Sequence, residues 1–185
     1  MSRLILASAS PRRKELMSLA GFDFEVITAD VDEVLDASLA PCELVMSLSY
    51  QKASAVAASD PDAAVIGADT VVVLGGKVLG KPHSEEEAVQ MLRDLSGNTH
   101  EVYTGVCIIK GDTAHKFYEC TKVTFWPLED ELIAEYVASK EPMDKAGSYG
   151  IQGKGSVLVK GIKGDYFNVV GFPVSRFCRE IKPFA

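Results

Sequence analysis

The chain has 185 residues, of which 47% are hydrophobic, and a formal net charge of −7 at pH 7. This acidic balance argues against a nucleic acid polymer as a partner, because polymer binding depends on many summed contacts from Lys and Arg. The length suits one domain or two small lobes with a sizeable core. We expect a single domain over residues 1–185.

Four cysteines are spread through the chain without a CxxC pair. This spacing does not favour a zinc site and is typical of reduced thiols in a reducing compartment. No apolar run reaches the ~20 residues that a membrane-spanning helix requires, and the first ten residues are too interrupted for a signal peptide. We therefore expect a soluble, cytoplasmic protein with no membrane partner.

The first half of the sequence predicts three strands and two helices. The strands are predicted at residues 4–7, 24–28 and 63–74, and the last of them is apolar throughout, as central strands are. One helix begins at Pro11, with Ser10 as its cap and Gly21 as its end. The other begins at Pro41 and extends to residue 59.

The second half predicts a hairpin, two long strands and three helices. Gly75-Gly76 is a tight turn between the central strand and KVLG. Ser84 and Glu87 have the spacing of a capping box at the start of a helix over residues 84–97. The remaining elements are two antiparallel strands around a Gly-Asp turn, an amphipathic helix at 128–140, a glycine-rich span and a short last helix. The mixture of hairpins and helical crossovers predicts an α/β (α+β) fold with one mixed sheet flanked by helices.

Asp69 is a charged residue inside the apolar segment VIGADTVVVL. An unpaired carboxylate in a central strand would be very costly, so it must be neutral, paired or bound to a cation. One explanation is a capped strand end or a single ion pair. The other is a metal ligand or general base at the carboxyl end of a strand.

Lys52 interrupts the apolar face of the helix that begins at Pro41. Positions 45, 48, 52 and 56 share one side of that helix. A lysine in such a place often extends past the edge of the core into water. Alternatively, its ammonium group contacts a phosphate.

Lys81 ends a near match to the phosphate-loop pattern GxxxxGK, in the segment GGKVLGKP. The next residue, Pro82, replaces the Ser or Thr that would bind magnesium, and it lacks the backbone N–H that would contact phosphate. The segment is better explained as a hairpin, which argues against a phosphate-loop NTPase. Lys81 is therefore either a solvated lysine or a separate phosphate contact.

Arg12 and Arg13 stand together at a helix start, where the helix dipole is already positive. A bound anion would relieve this repulsion, and the hydroxyl groups of Ser8 and Ser10 would add donors to a phosphate site. The cations that could complete this site from other elements are Lys52 and Lys81.

An acidic loop contains Asp30, Asp32 and Glu33. Most acidic loops are simply solvated. A carboxylate from this loop beside Asp69 could nevertheless share a magnesium ion, which prefers oxygen ligands and phosphate oxygens. Several cations together with such carboxylates are the composition of a site for polyphosphate chemistry.

Seven short motifs follow one another over essentially the whole chain. They are LILASASPRRKEL from residue 4, VDE at 31–33, QKA at 51–53, GADTVV at 67–72, LGKP at 79–82, LSGNTHEVYTGV at 95–106 and EPMDKAGSYGIQG at 141–153. Taken together, they resemble the Maf family of nucleoside triphosphate pyrophosphatases.

The resemblance implies one twisted mixed sheet with helices, arranged as two lobes around a central cleft (a Maf/ITPase-like fold). It implies hydrolysis of a nucleoside triphosphate to the monophosphate and pyrophosphate with a divalent cation, Mg²⁺ or Mn²⁺. It also implies a homodimer, house-cleaning of nucleotide pools and a link to inhibition of septum formation.

The resemblance also implies roles for individual residues. The acid that matches Asp69 is the proton acceptor, and we expect Glu33 and Asp69 to hold the metal. The residues linked to substrate choice match Arg12, Thr70 and Gln152. The segments SPRR, ADT and IQG resemble those of the family branch that acts on dTTP and UTP. Gln152 lies in YGIQGKG, where glycines would let the backbone approach a ligand closely.

The implied reaction is attack of water on the α-phosphorus, with the basic residues holding the triphosphate. A nucleotidyltransferase also cuts between the α and β phosphates, although ASASPRR lacks the glycines of its usual basic loop. Two further alternatives are a non-enzymatic nucleotide-binding regulator of division and a domain whose unusual charges are all structural.

Overall fold

The computed structural model describes residues 3–184; Met1, Ser2 and Ala185, at the ends of the predicted domain, lie outside the described residues. The strands are β1 (Leu4–Leu6), β2 (Glu25–Val26), β3 (Ala64–Leu74), β4 (Lys77–Leu79), β5 (Thr99–Lys110), β6 (Thr113–Phe125) and β7 (Val159–Lys163). The α-helices are α1 (Pro11–Leu19), α2 (Pro41–Ala57), α3 (Glu85–Leu95), α4 (Asp130–Ala138), α5 (Tyr166–Val170) and α6 (Val174–Glu180).

The strands form one mixed sheet in the order β2-β1-β3-β5-β6-β7, with β4 paired to β3. β1 is parallel to both β2 and β3, and Leu6 of β1 lies opposite Ile66 of β3. The β3–β4 and β6–β7 pairs are antiparallel. The predicted α/β fold with a mixed sheet flanked by helices is confirmed.

The helix ends follow the predicted signals with two differences. Gly21, with φ +80°, ends α1 as predicted, whereas the side chain of Ser10 makes no capping hydrogen bond. At α3 the hydroxyl of Ser84 accepts from the N–H of Glu87 at 3.2 Å. The carboxylate of Glu87 accepts from His83 N–H at 2.7 Å, so the capping box closes one residue earlier than its usual form.

The glycine-rich span is more ordered than the sequence predicts. It contains three short 3-10 helices, at Glu141–Asp144, Ala146–Ser148 and Gly153–Leu158, followed by β7 and α5. Such short helices have no long hydrophobic period that a sequence pattern would reveal.

The chain divides into two compact units. Among the described residues, the first unit contains residues 3–70, 104–119 and 171–184, and the second contains residues 71–103 and 120–170. This division agrees with the two lobes that the resemblance implies, and the central cleft stays a prediction. No helix within residues 3–184 is long and apolar enough to cross a membrane.

Close contact between β3 and α2 organises the first unit. A Cβ atom on Gly67 would lie 2.2 Å from the carbonyl oxygen of Ser49 and 2.8 Å from the backbone nitrogen of Ala53. Glycine is therefore required for the helix to approach the strand. This contact lies two residues before Asp69 on β3 and one residue after Lys52 on α2.

We expect Gly67→Ala to lower the free energy of unfolding by at least ~2 kcal/mol, because the new methyl group overlaps backbone atoms that cannot rotate away. Urea unfolding of the two proteins measures the effect. Gly161→Ala is the matched control, since a Cβ atom there meets no atom within 4 Å. Equal stability of Gly67→Ala and the wild type would contradict the close approach.

An aromatic cluster lies in the core of the second unit. The rings of Phe125 and Tyr149 are 4.7 Å apart, and the His100 ring is 5.0 Å from that of Phe125. Burial lowers the pKa of His100 to about 4, so its ring is neutral at pH 7 and hydrogen-bonds the Tyr149 hydroxyl at 2.7 Å. His100, in the motif LSGNTHEVYTGV, therefore contributes to the core of the second unit.

Candidate functional site

The first unit brings polar side chains together just beyond the carboxyl end of β1 and in the middle of β3, past the part of β3 that pairs with β1. β1 ends at Leu6, and the residues that follow lead into α1. β3 pairs with β1 over residues 64–66 and then continues to Asp69 and Thr70. The carboxyl ends of parallel strands are the usual place for ligand sites in open α/β sheets.

Lys52 forms ion pairs with two carboxylates. Its Nζ atom lies 2.5 Å from Oδ1 of Asp69 and 3.2 Å from Oε1 of Glu33. The side chains of Lys52 and Asp69 are 21% and 14% exposed, so water screens this pair less than a surface pair. The sequence predicted all three as site residues, and the structure brings them together.

Arg13 connects three parts of the first unit. Its Nε donates to the carbonyl oxygen of Gly171 at 2.9 Å, its Nη1 to Ser8 Oγ at 3.3 Å and its Nη2 to Thr70 Oγ1 at 3.1 Å. Burial lowers the pKa of Arg13, and the charge of Asp69 partly opposes this shift. A guanidinium group has five N–H donors, so two remain for a ligand after these three contacts.

Thr104 contacts the candidate site through Thr70 and was not among the residues predicted from the sequence. Its side chain is fully buried on β5, and its Oγ1 lies 2.9 Å from Oγ1 of Thr70. A hydroxyl group in the apolar segment VYTGVCII was a detectable signal, of the same kind that identified Asp69 in its strand. The carbonyl contact of Gly171 had no such signal, because any residue has a carbonyl group.

The other predicted residues at the start of α1 lie in the same unit. Ser8 is buried, and its Oγ accepts from the N–H of Ser10 at 3.3 Å as well as from Arg13. Ser10 and Arg12 are half-buried, at the N-cap and in the first turn of α1. The predicted phosphate-binding site at this helix start therefore combines hydroxyl and guanidinium donors.

Lys81 and Gln152 lie in the second unit. Lys81 is exposed and lines a pocket of about 210 Å³ together with Lys77, His83 and Glu87. Gln152 is half-buried and precedes the 3-10 helix Gly153–Leu158. The roles of these two residues as phosphate and base contacts stay predictions.

A family model described as "Maf-like protein" matches residues 3–184 of this chain. The chain belongs to the Maf family. The predicted family resemblance is thereby confirmed over nearly the full length.

Several curated proteins are closely similar to this chain in sequence. The chain is 59% identical over 184 residues to the "dTTP/UTP pyrophosphatase" of Bacillus cereus strain AH820, covering 100% of this chain and 96% of the relative. The protein of the same name from Bacillus anthracis is also 59% identical, with the same coverage. A solved HAM1 protein from Coxiella burnetii has a TM-score of 0.54 and 13% identity over the whole of both chains, which shows a shared fold.

The acidic residues of this Maf chain fit a divalent cation whose remaining ligands come from a phosphate. Within residues 3–184 there is no group of three or more His, Cys, Asp or Glu side chains that could hold a metal ion. Magnesium is commonly bound by one or two carboxylates together with substrate phosphates and water. Asp69 and Glu33, which share Lys52 as a counter-ion, supply two such carboxylates.

Proposed function

We propose that this chain hydrolyses nucleoside triphosphates, dTTP and UTP above all, to the monophosphate and pyrophosphate. The observation that carries the proposal is the Lys52 ammonium group paired with Asp69 and Glu33 beside the Arg13 network. Cations and carboxylates concentrated beyond the end of β1 and at the middle of β3 suit phosphoryl transfer. The names of the close relatives support the same reaction.

The triphosphate would be bound by the basic and hydroxyl groups around the start of α1. Arg13 is held in place by its three hydrogen bonds and can direct its remaining donors towards phosphate. Lys52 can exchange its carboxylate contacts for phosphate contacts, because its flexible chain carries a single mobile charge. The further proposed phosphate contacts are Ser8, Ser10, Arg12 and Lys81.

Asp69 and Glu33 would hold the divalent cation, Mg²⁺ or Mn²⁺. When bound, this cation would neutralise charge on the phosphate oxygens and favour a nucleophilic water. Asp69 would orient the attacking water and accept its proton as the oxygen bonds to the α-phosphorus. Pyrophosphate then leaves from the opposite side of the phosphorus.

Base choice would depend on Gln152, with Arg12 and Thr70 as supporting residues. A carboxamide offers one acceptor and one donor, which can pair with N3–H and the carbonyl oxygen at position 4 of uracil or thymine. Cytosine reverses this pattern, so the orientation of the amide must be fixed for UTP and dTTP to be preferred over CTP. The Thr70 hydroxyl is itself fixed by Arg13 and Thr104.

Incubation with UTP or dTTP in water labelled with ¹⁸O tests the reaction. We expect equal amounts of monophosphate and pyrophosphate, with the label in the monophosphate, because attack on the α-phosphorus places the water oxygen there. Excess chelator should abolish the reaction, and added Mg²⁺ or Mn²⁺ should restore it. Mass spectrometry of both products reads the label.

Other outcomes identify other functions. Label in pyrophosphate would place the attack on the β-phosphorus, and a diphosphate with orthophosphate would mean cleavage at the terminal bond. Binding of UTP without cleavage would indicate a non-enzymatic regulator. Cleavage that requires an added acceptor would indicate a nucleotidyltransferase.

We further propose that residues 1–185 act as a single domain in the cytoplasm, as a homodimer that binds no nucleic acid polymer. The acidic net charge supports the expectation that no nucleic acid polymer binds, and the homodimer rests on the family resemblance. House-cleaning of nucleotide pools follows from the proposed reaction. The link to septum formation rests on the family resemblance alone.

A further inference from the structure

A carboxylate in the second unit accepts hydrogen bonds from three donors. Oε1 of Glu141 accepts from the Tyr136 hydroxyl and from the N–H of Gly155, each at 3.1 Å. Oε2 of Glu141 accepts from the N–H of Lys154 at 3.1 Å. Lys154 and Gly155 lie at the start of a 3-10 helix, so the carboxylate satisfies N–H groups that have no partner within the helix.

Tyr136 extends these contacts to the other side of Gln152. Its hydroxyl donates to Glu141 and accepts from the N–H of Gly150 at 3.0 Å. We call the Tyr136–Glu141 pair the loop clamp. The clamp binds the backbone both before and after Gln152, which leaves the chain between these points little freedom.

The glycines around Gln152 are explained by this clamp. A Cβ atom on Gly153, which has φ +63°, would lie 2.9 Å from Oε2 of Glu141. A Cβ atom on Gly155 would lie 2.2 Å from the carbonyl oxygen of Gly150 and 2.7 Å from the Tyr136 hydroxyl. The sequence predicted that glycines here let the backbone approach a ligand closely. At Gly153 and Gly155 the backbone instead approaches other groups of the protein, namely Glu141, Tyr136 and the carbonyl oxygen of Gly150.

The clamp depends on a charged carboxylate. Burial alone would raise the pKa of Glu141, but the donors from Lys154, Gly155 and Tyr136 outweigh burial and lower the pKa below its ordinary value. Glu141 is therefore ionised at neutral pH. Its stabilising effect is complete above the ordinary pKa of a glutamate and is lost as the pH falls through the lowered one.

We propose that Glu141, together with Tyr136, is a positioning residue that fixes the backbone of Gln152, and with it the point from which the amide reaches the base, and thereby sets the preference for uracil and thymine over cytosine. The inference rests on the proposed function, since Gln152 is the proposed base contact. Gln152 follows Ile151, whose side chain is buried, so the segment is anchored through its neighbours as well. Within residues 3–184 the Gln152 amide itself makes no side-chain hydrogen bond, so the clamp acts on the backbone that carries Gln152 and not on the amide directly.

A double-mutant cycle between Glu141→Gln and Gln152→Ala tests this role. The ratio of kcat/KM for UTP to kcat/KM for CTP is measured in wild type, both single variants and the double variant. We expect Glu141→Gln to lower this ratio by about tenfold, the factor for one hydrogen bond to a charged group. In the Gln152→Ala background the same change should leave the ratio as it is, because the residue being positioned is gone.

The matched control is Glu131→Gln, which changes an exposed glutamate of α4. It should leave the ratio unchanged. Amide hydrogen exchange gives a second readout that does not require turnover. Exchange at Lys154 and Gly155 should be faster in Glu141→Gln, and exchange at Gly150 should be faster in Tyr136→Phe. Tyr136→Phe keeps the buried ring and provides the test if Glu141→Gln does not fold.

A purely structural role would lower kcat/KM equally for both nucleotides and leave the ratio unchanged, which would overturn the inference. An equal fall of the ratio in both backgrounds, unchanged amide exchange, or a Gln152→Ala variant with the wild-type ratio would also overturn it. If the wild type leaves both nucleotides intact, the proposed function fails. The same cycle is then measured on the binding affinities for UTP and CTP, and the inference stands or falls on their ratio.

Discussion

Replacing Asp69 by Asn is expected to lower the turnover of UTP by at least ~10²-fold, the usual scale for a positioned general base. An amide can neither accept the proton of the attacking water nor bind a cation as a carboxylate does. The protein should remain folded. Lys52 keeps Glu33 as a partner at 3.2 Å, so no buried ammonium group is left alone, and the stability should stay within about 1 kcal/mol of wild type.

Steady-state kinetics and a urea unfolding curve on the same preparation separate chemistry from folding. Asp62→Asn is a suitable control, because Asp62 is an exposed acid just before β3. It should leave both measurements unchanged. Normal turnover by Asp69→Asn would mean that the Asp69–Lys52 pair is structural and that the proposed mechanism is wrong.

The sequence predicted the centre of the candidate site because its residues are unusual for their surroundings. Asp69 interrupts an apolar strand, and Lys52 interrupts an apolar helix face whose other members, Val45, Leu48 and Val56, are buried as predicted. Each residue alone had a plain structural explanation. The structure gives the two a shared explanation, because their charged atoms are 2.5 Å apart.

The parts that the sequence did not predict depend on contacts between distant positions. Arg13 donates to the carbonyl oxygen of Gly171, which is 158 residues away along the chain. The loop clamp similarly depends on Tyr136 and Glu141 contacting backbone N–H groups of a later segment. Backbone donors and acceptors are the same at every residue, so no composition or period indicates which of them will meet a side chain.

Lys52→Met is expected to lower both stability and catalysis. A lysine that merely extends past the core edge would lose nothing when an apolar chain of similar length replaces it. Lys52 instead neutralises Asp69 and Glu33, and its removal leaves two neighbouring carboxylates without a shared cation. We expect a loss of about 1–3 kcal/mol in the free energy of unfolding, moderated because Glu33 is partly exposed.

A divalent cation should stabilise the Lys52→Met variant more strongly than it stabilises wild type. A cation that binds the folded state stabilises it by RT ln(1 + [M]/Kd), about 2.7 kcal/mol at a hundredfold excess over Kd. Without Lys52 between them, Asp69 and Glu33 can bind Mn²⁺ or Mg²⁺ in the absence of nucleotide. Thermal unfolding with chelator and with Mn²⁺ should therefore show a larger shift for Lys52→Met than for wild type.

Catalysis distinguishes this variant further, because the cation can replace the charge of Lys52 between the carboxylates but not its contact with phosphate. We expect kcat/KM for UTP to fall by about 10²-fold even at saturating Mn²⁺, the scale for loss of one charged transition-state contact. Lys14→Met, which removes an exposed lysine from α1, should change neither the metal-dependent shift nor kcat/KM. Higher stability of Lys52→Met with unchanged kinetics would show that Lys52 is only a lysine at the core edge.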